Sequence, residues 1–217
     1  MRTTSLTILA LVVCAPPTSA QFLYLVPDVS PAEQFFLIFN SGPLTGVKPD
    51  GEKLAVRTVT AVEVDGKRSA VPLTTDNTSG PVVKTSATTL FASVDSGVSN
   101  RGEGRTVLLR YHAKCQPAGG KELGLPLEVT PKAVTGGVAF AVTAGGKPLG
   151  NGSVLLHEPG DTDPRAVTTD ANGLTPTYSK AGRYAVRVGR FENAKGELDG
   201  KAYSGVWEYS TLVTMVK

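Results

Sequence analysis

Along most of the chain apolar and polar residues alternate with a period of two, and turn-forming dipeptides interrupt the alternation at short intervals. That period puts one side of a strand on a core and the other in water. No long stretch keeps the apolar stripe of an amphipathic helix. Strands are expected at residues 22–26, 34–39, 54–64, 69–73, 89–94 and 106–113. Beyond 125–129 the texture changes, and short strands recur at 138–143, 153–158, 165–169, 183–190 and 203–216. The fold class is therefore expected to be all-β, with two β-rich domains, residues 21–116 and 124–217, meeting at a joint in 117–121 that holds Gly119-Gly120. The short, regularly spaced strands of the second domain predict a small β-sandwich.

Local signals refine this. Asp65-Gly66 predicts a tight hairpin whose two central residues both take positive φ. Ser30-Pro-Ala-Glu33 has the form of a helix-start box, but the apolar run behind it lacks a polar helical side, so one turn before a buried strand is expected. Residues 74–89, dense in Thr, Ser, Asn and Gly, read as a polar loop. In 106–115, Val107, Leu109, Tyr111, Ala113 and Cys115 fall on one side; Thr106, Arg110, His112 and Lys114 fall on the other, with Leu108 as the apolar exception. Cys115 is expected to be a buried small hydrophobe, and His112 an exposed strand histidine between two cations. The inward set is Tyr184, Val186 and Val188 in 183–190, and Tyr203, Trp207, Tyr209, Val213 and Met215 in the last strand. Trp207 is read as a core anchor rather than a ligand-stacking ring.

Composition narrows the class. The 217 residues include 24 glycines and 15 prolines, with 41% hydrophobic positions, and 22 basic residues against 19 acidic give +3. That charge is too small for a nucleic-acid footprint. Residues 1–20 read as a cleavable signal peptide: Met1-Arg2, a short apolar run ending at Cys14, and Thr18-Ser-Ala20 before Gln21. The alternative is lipid attachment at Cys14, against which Val13 is larger than the small residue such sites carry. The apolar run is shorter than the ~20 residues of a membrane-spanning helix, and no later segment reaches that length. A periplasmic or secreted protein without a transmembrane segment is expected, with Cys115 as its single thiol.

The common catalytic patterns are missing. Residues 46–53 have a phosphate-loop outline with Glu52 where lysine belongs, and Gly102-Glu-Gly104 lacks the third glycine of a dinucleotide fingerprint. There is no Gly-x-Ser-x-Gly elbow, and two histidines make bases scarce. The expectation is a protein that is not an enzyme. His157-Glu158 cannot readily chelate one ion, because adjacent strand residues point to opposite sides. Asp161-Thr-Asp163 and Asp170 resemble a calcium loop in which Arg165 occupies a ligand position, and they are expected to form a solvated turn. Asn77-Thr-Ser79 and Asn151-Gly-Ser153 fit the glycosylation pattern.

Several pieces in order carry a resemblance: Leu23-Tyr-Leu-Val-Pro27, Asp95-Ser-Gly-Val98, Leu108-Leu-Arg-Tyr-His-Ala-Lys114, Gly124-Leu-Pro-Leu-Glu-Val129, Gly146-Lys-Pro-Leu149, Thr168-Thr-Asp-Ala-Asn-Gly173, Ala181-Gly-Arg-Tyr184 and Tyr209-Ser-Thr-Leu-Val213. Together they resemble a bacterial exported family labelled nickel-uptake-transporter-like, in the short form of planctomycete-like bacteria. The resemblance implies a C-terminal immunoglobulin-like or transthyretin-like sandwich and a divalent transition metal, nickel or cobalt. Relatives tend to carry histidines at the positions of Gln21, Glu208 and Leu198. The candidate metal ligands here are Gln21, Glu208, His112 and His157, at a site between the two domains. An envelope module binding protein or polysaccharide is the alternative.

Overall fold

The computed structural model describes residues 22–28, 34–40, 58–76, 80–101 and 105–217. The expected signal peptide, Cys14, Gln21, the 30–33 turn, the 46–53 loop and Asn77 lie outside them.

Every element among the described residues is a strand. In chain order they are β1 (Phe22–Pro27), β2 (Gln34–Asn40), β3 (Thr58–Val62), β4 (Arg68–Pro72), β5 (Thr74–Asp76), β6 (Gly80–Lys84), β7 (Thr89–Asn100) and β8 (Thr106–Cys115). There follow β9 (Leu127–Val134), β10 (Gly137–Ala144), β11 (Lys147–Pro148), β12 (Ser153–His157), β13 (Arg165–Thr168), β14 (Gly182–Glu192), β15 (Gly196–Leu198), β16 (Lys201–Tyr203) and β17 (Gly205–Val216). The protein is all-β.

A single eight-stranded sheet, ordered β13-β12-β14-β17-β8-β7-β3-β4, runs through both halves of the chain. The halves meet where β17 pairs parallel with β8, from Gly205 opposite Val107 to Val213 opposite Cys115. Parallel neighbours need a long crossover, and β9 to β16 supply it. The segment before β9 is tied to both sides: Gln116 N donates to Val213 O, Gly119 N to Pro131 O, and the Arg68 guanidinium to Leu123 O.

Two smaller sheets cover this long sheet on opposite faces. Tyr111, Ala113, Cys115, Ala185 and Val213 point to what is here termed the front face, where they share a core with β1, β2 and β6 of the sheet β1-β2-β6-β5. Leu212, Val186, Val188, Tyr184, Val154 and Leu156 point to the back face and pack on Leu127, Val129, Phe140 and Val142 of the sheet β11-β10-β9. Each cover shields a different half. β17 carries core residues on both faces, whereas two quarters of the long sheet carry polar residues: the front of β12 and β14, and the back of β7 and β8, where His112 and Lys114 are nonetheless buried.

This arrangement corrects several expectations. His112 is 3% exposed and Lys114 1%, because the central strand β8 has no solvent face at those positions. Met215 is exposed while Leu212 is fully buried, since the back of β17 meets the second core. Residues 74–76 and 80–84 are strands rather than loop; Val82 and Val83 are buried and β6 pairs with β2 and β5. The β3–β4 hairpin forms, but only Gly66 takes positive φ, 88°. Glu63 O accepts from Gly66 N and Lys67 O from Glu63 N, the bonding of a three-residue loop with a glycine bulge. Cys115 is buried, and burial pushes its thiol up to about 12.

Candidate functional site

Register places four charged side chains side by side across the back face: Arg190, Glu208, Arg110 and Asp95, on β14, β17, β8 and β7. Opposite charges thus alternate along the row. Arg110 grips Asp95 through Nε at 2.6 Å and Nη2 at 3.1 Å, and Arg190 Nη2 donates to Glu208 Oε2 at 3.1 Å. The next row reads Val188, Ser210, His112 and Ser93.

His112 links the two rows. Its Nε2 lies 3.1 Å from Glu208 Oε1 and its Nδ1 2.8 Å from Ser93 Oγ. An ionised carboxylate only accepts hydrogen bonds, so Nε2 carries the hydrogen. With Nδ1 unprotonated, that nitrogen accepts from the Ser93 hydroxyl; with both nitrogens protonated, the ring bears the charge that Glu208 faces. Burial pushes the Glu208 carboxyl up, but the hydrogen bond and charge of His112, with those of Arg190, hold it below the usual carboxylate range. His112 and Glu208 are buried whereas Ser93 is exposed, so a chain of three hydrogen-bonded groups runs from the interior to the surface.

Behind this cluster Lys114 Nζ meets Glu128 Oε1 at 2.6 Å, both side chains being 1% exposed. Glu128 also accepts from the backbone N–H groups of Leu123, Gly124 and Leu125 at 2.7, 3.0 and 3.2 Å. Burial opposes the charge on Glu128, but Lys114 and these donors hold its carboxyl low. The pair anchors the connection between the halves.

The structure brings His112 and Glu208 together and leaves His157 elsewhere. His157 shares a row with Ala185 and therefore sits on the front face. Both its ring nitrogens are buried without a hydrogen-bond partner, and burial, then the charge of Arg187, lowers its pKa. Gln21 is outside the described residues. Among the described residues no three His, Cys, Asp or Glu side chains converge as a metal ion requires. Both ring nitrogens of His112 and both Glu208 oxygens are already engaged. Asp161 and Asp170 instead serve local turns: Asp161 accepts from Glu158 N, and Asp170 Oδ1 from the N–H groups of Asn172 and Leu174.

At the far end of the front face lies a hollow of about 730 Å³, lined by Arg101, Arg105, Val107, Phe191, Asn193, Ser204 and Trp207. Trp207 is half-buried, which corrects its reading as a core anchor: among the described residues the front cover does not extend over this end of β17. Trp207 begins a staircase of rings, with Phe191 5.5 Å away on one side, Tyr209 stacked at 5.8 Å and 9° on the other, and Tyr111 stacked on Tyr209 at 5.3 Å. Gly205 allows it, because a Cβ there would sit 2.5 Å from the Phe191 ring. The alternation of β17 placed Trp207 on the correct face, but which part of that face is covered has no local signal.

No protein-family model matches the chain, and a search of curated proteins finds no similar one.

Proposed function

We propose that this protein is a binding module of the cell envelope or its surroundings, and that it holds a sugar chain bearing acidic groups in the Trp207 hollow. The observation carrying this reading is the half-exposed indole backed by a stack of aromatic rings beside two arginines. Flat rings take the apolar face of a sugar, guanidinium groups pair with carboxylate or sulfate, and Asn193 and Ser204 offer hydrogen bonds to hydroxyls. The hollow falls within the usual 300–1,000 Å³ of ligand sites. An exported chain of the kind its first twenty residues predict would meet such polymers.

Trp207 is the single tryptophan of the chain, so its fluorescence reports the hollow directly. Titration with polygalacturonate, alginate and heparin is expected to change that emission with at least one of them. The Trp207→Ala variant is expected to bind at least tenfold more weakly by calorimetry. Unchanged emission with all three, or equal affinity in the variant, overturns the reading.

A further inference from the structure

On the back face, away from the hollow, the exposed Ser93 hydroxyl is bonded to a buried imidazole whose other nitrogen is bonded to a buried carboxylate. Arg190 keeps that carboxylate ionised, and Arg110, two residues before His112, faces the same side. The geometry points to a nucleophile: we propose that Ser93 accepts acyl groups, with His112 as its base, from esters of short carboxylic acids with polar alcohols.

The roles follow from the hydrogen bonds. As the Ser93 Oγ–carbon bond forms, the hydroxyl proton moves to His112 Nδ1 and the carbonyl π pair moves to its oxygen. Glu208 stays ionised and stabilises the imidazolium. The adduct collapses as the bond to the alcohol oxygen breaks and that oxygen takes the proton from Nδ1. Water then attacks the acyl carbon, giving its proton to Nδ1, and the acid leaves as Ser93 is restored. Arg110, its charge balanced by Asp95, is the guanidinium that faces the same side as the transient oxyanion. The ring is used in the opposite sense from the familiar serine triad, in which serine meets Nε2 and the acid meets Nδ1. The relay requires only one partner on each nitrogen. A polar alcohol fits because the charged Asp95 and Arg110 stand beside Ser93 on the same face, and the part-buried Phe91 two residues before it leaves an apolar contact for a short acyl group.

The full chain is to be treated with a fluorophosphonate probe and, separately, with 4-nitrophenyl acetate. Covalent labelling at Ser93, located by peptide mass spectrometry, and acetate release that falls at least tenfold in Ser93→Ala are expected. Ser93 is exposed, so the alanine variant keeps the fold, checked by circular dichroism. Absence of label on Ser93, or acetate release equal in the variant, overturns the proposal.

Discussion

His112 Nε2 and Glu208 Oε1 meet at 3.1 Å across 96 residues of chain, within the parallel pairing of β8 and β17 that unites the two halves of the protein. Glu208→Ala leaves the buried His112 without its carboxylate and Arg190 with Glu192 alone. Removing one partner of a buried pair costs about 3–5 kcal/mol, and the part-exposed Arg190 places this case near the lower end. Urea unfolding at neutral pH measures it; a loss below about 1 kcal/mol would mean that the contact is not structural.

The acid side of the same contact has a defined sign. The Glu208 carboxyl titrates lower in the folded chain than its ordinary 4.5. Its stabilising contribution is complete above the unfolded value and is lost as pH falls through the folded one. Wild type is therefore expected to lose its advantage over Glu208→Ala as pH drops below about 4.5, as read from paired denaturation curves.

His157 acts higher on the pH scale. Burial and Arg187 lower its pKa from 6.5, with Asp161 and Asp163 opposing, so the folded chain holds it neutral where the unfolded chain takes a proton. Stability is expected to fall as pH drops below 6.5 and to fall less in His157→Gln. Urea midpoints at pH 7.5, 6.5 and 5.5 check this, and parallel curves for the two proteins would refute it.

The Lys114–Glu128 pair is expected to resist apolar replacement. A buried ion pair can often be exchanged for apolar residues at little cost, but Glu128 also serves three backbone N–H groups that its removal would orphan. Lys114→Met combined with Glu128→Leu should remain destabilised by more than about 2 kcal/mol, since each unmet buried donor costs about 1–3 kcal/mol. A neutral double variant in thermal unfolding would show that the donors find other partners.

Gly205→Ala should displace the Phe191 ring, which an added Cβ would approach to 2.5 Å. Weaker acidic-glycan binding and altered Trp207 emission are expected, with the sheet intact by circular dichroism.

For nickel and cobalt, both ring nitrogens of His112 and both oxygens of Glu208 are committed, with arginines on either side. Calorimetry at neutral pH is expected to show no heat from either ion that depends on His112. Heat that disappears in His112→Ala would restore the metal reading.

Strands and turns were legible in the sequence because they are written locally: alternation marks 106–115 and 183–190, and glycine marks the turn at Gly66. The 74–89 segment was misread because its polar residues outnumber the Val82-Val83 signal. Ser93 had no motif around it, and its partners lie 19 and 115 residues away. Glu208 and His112 were named together only as candidate metal ligands, not as a hydrogen-bonded pair, because nothing local shows that β17 lies beside β8.

Taken alone, the chain determined an all-β protein, the places of most strands and the alternation that gives each strand two faces. Tertiary structure decided which faces are covered. Pairing β17 parallel to β8 put both strands in the middle of one sheet, so His112 and Lys114 on the polar side of β8 were buried. His112 and Lys114 then needed carboxylates, because a buried polar group without a partner is costly. Where the covers stop, the same alternation leaves Trp207 half-open on one face and Ser93 exposed on the other.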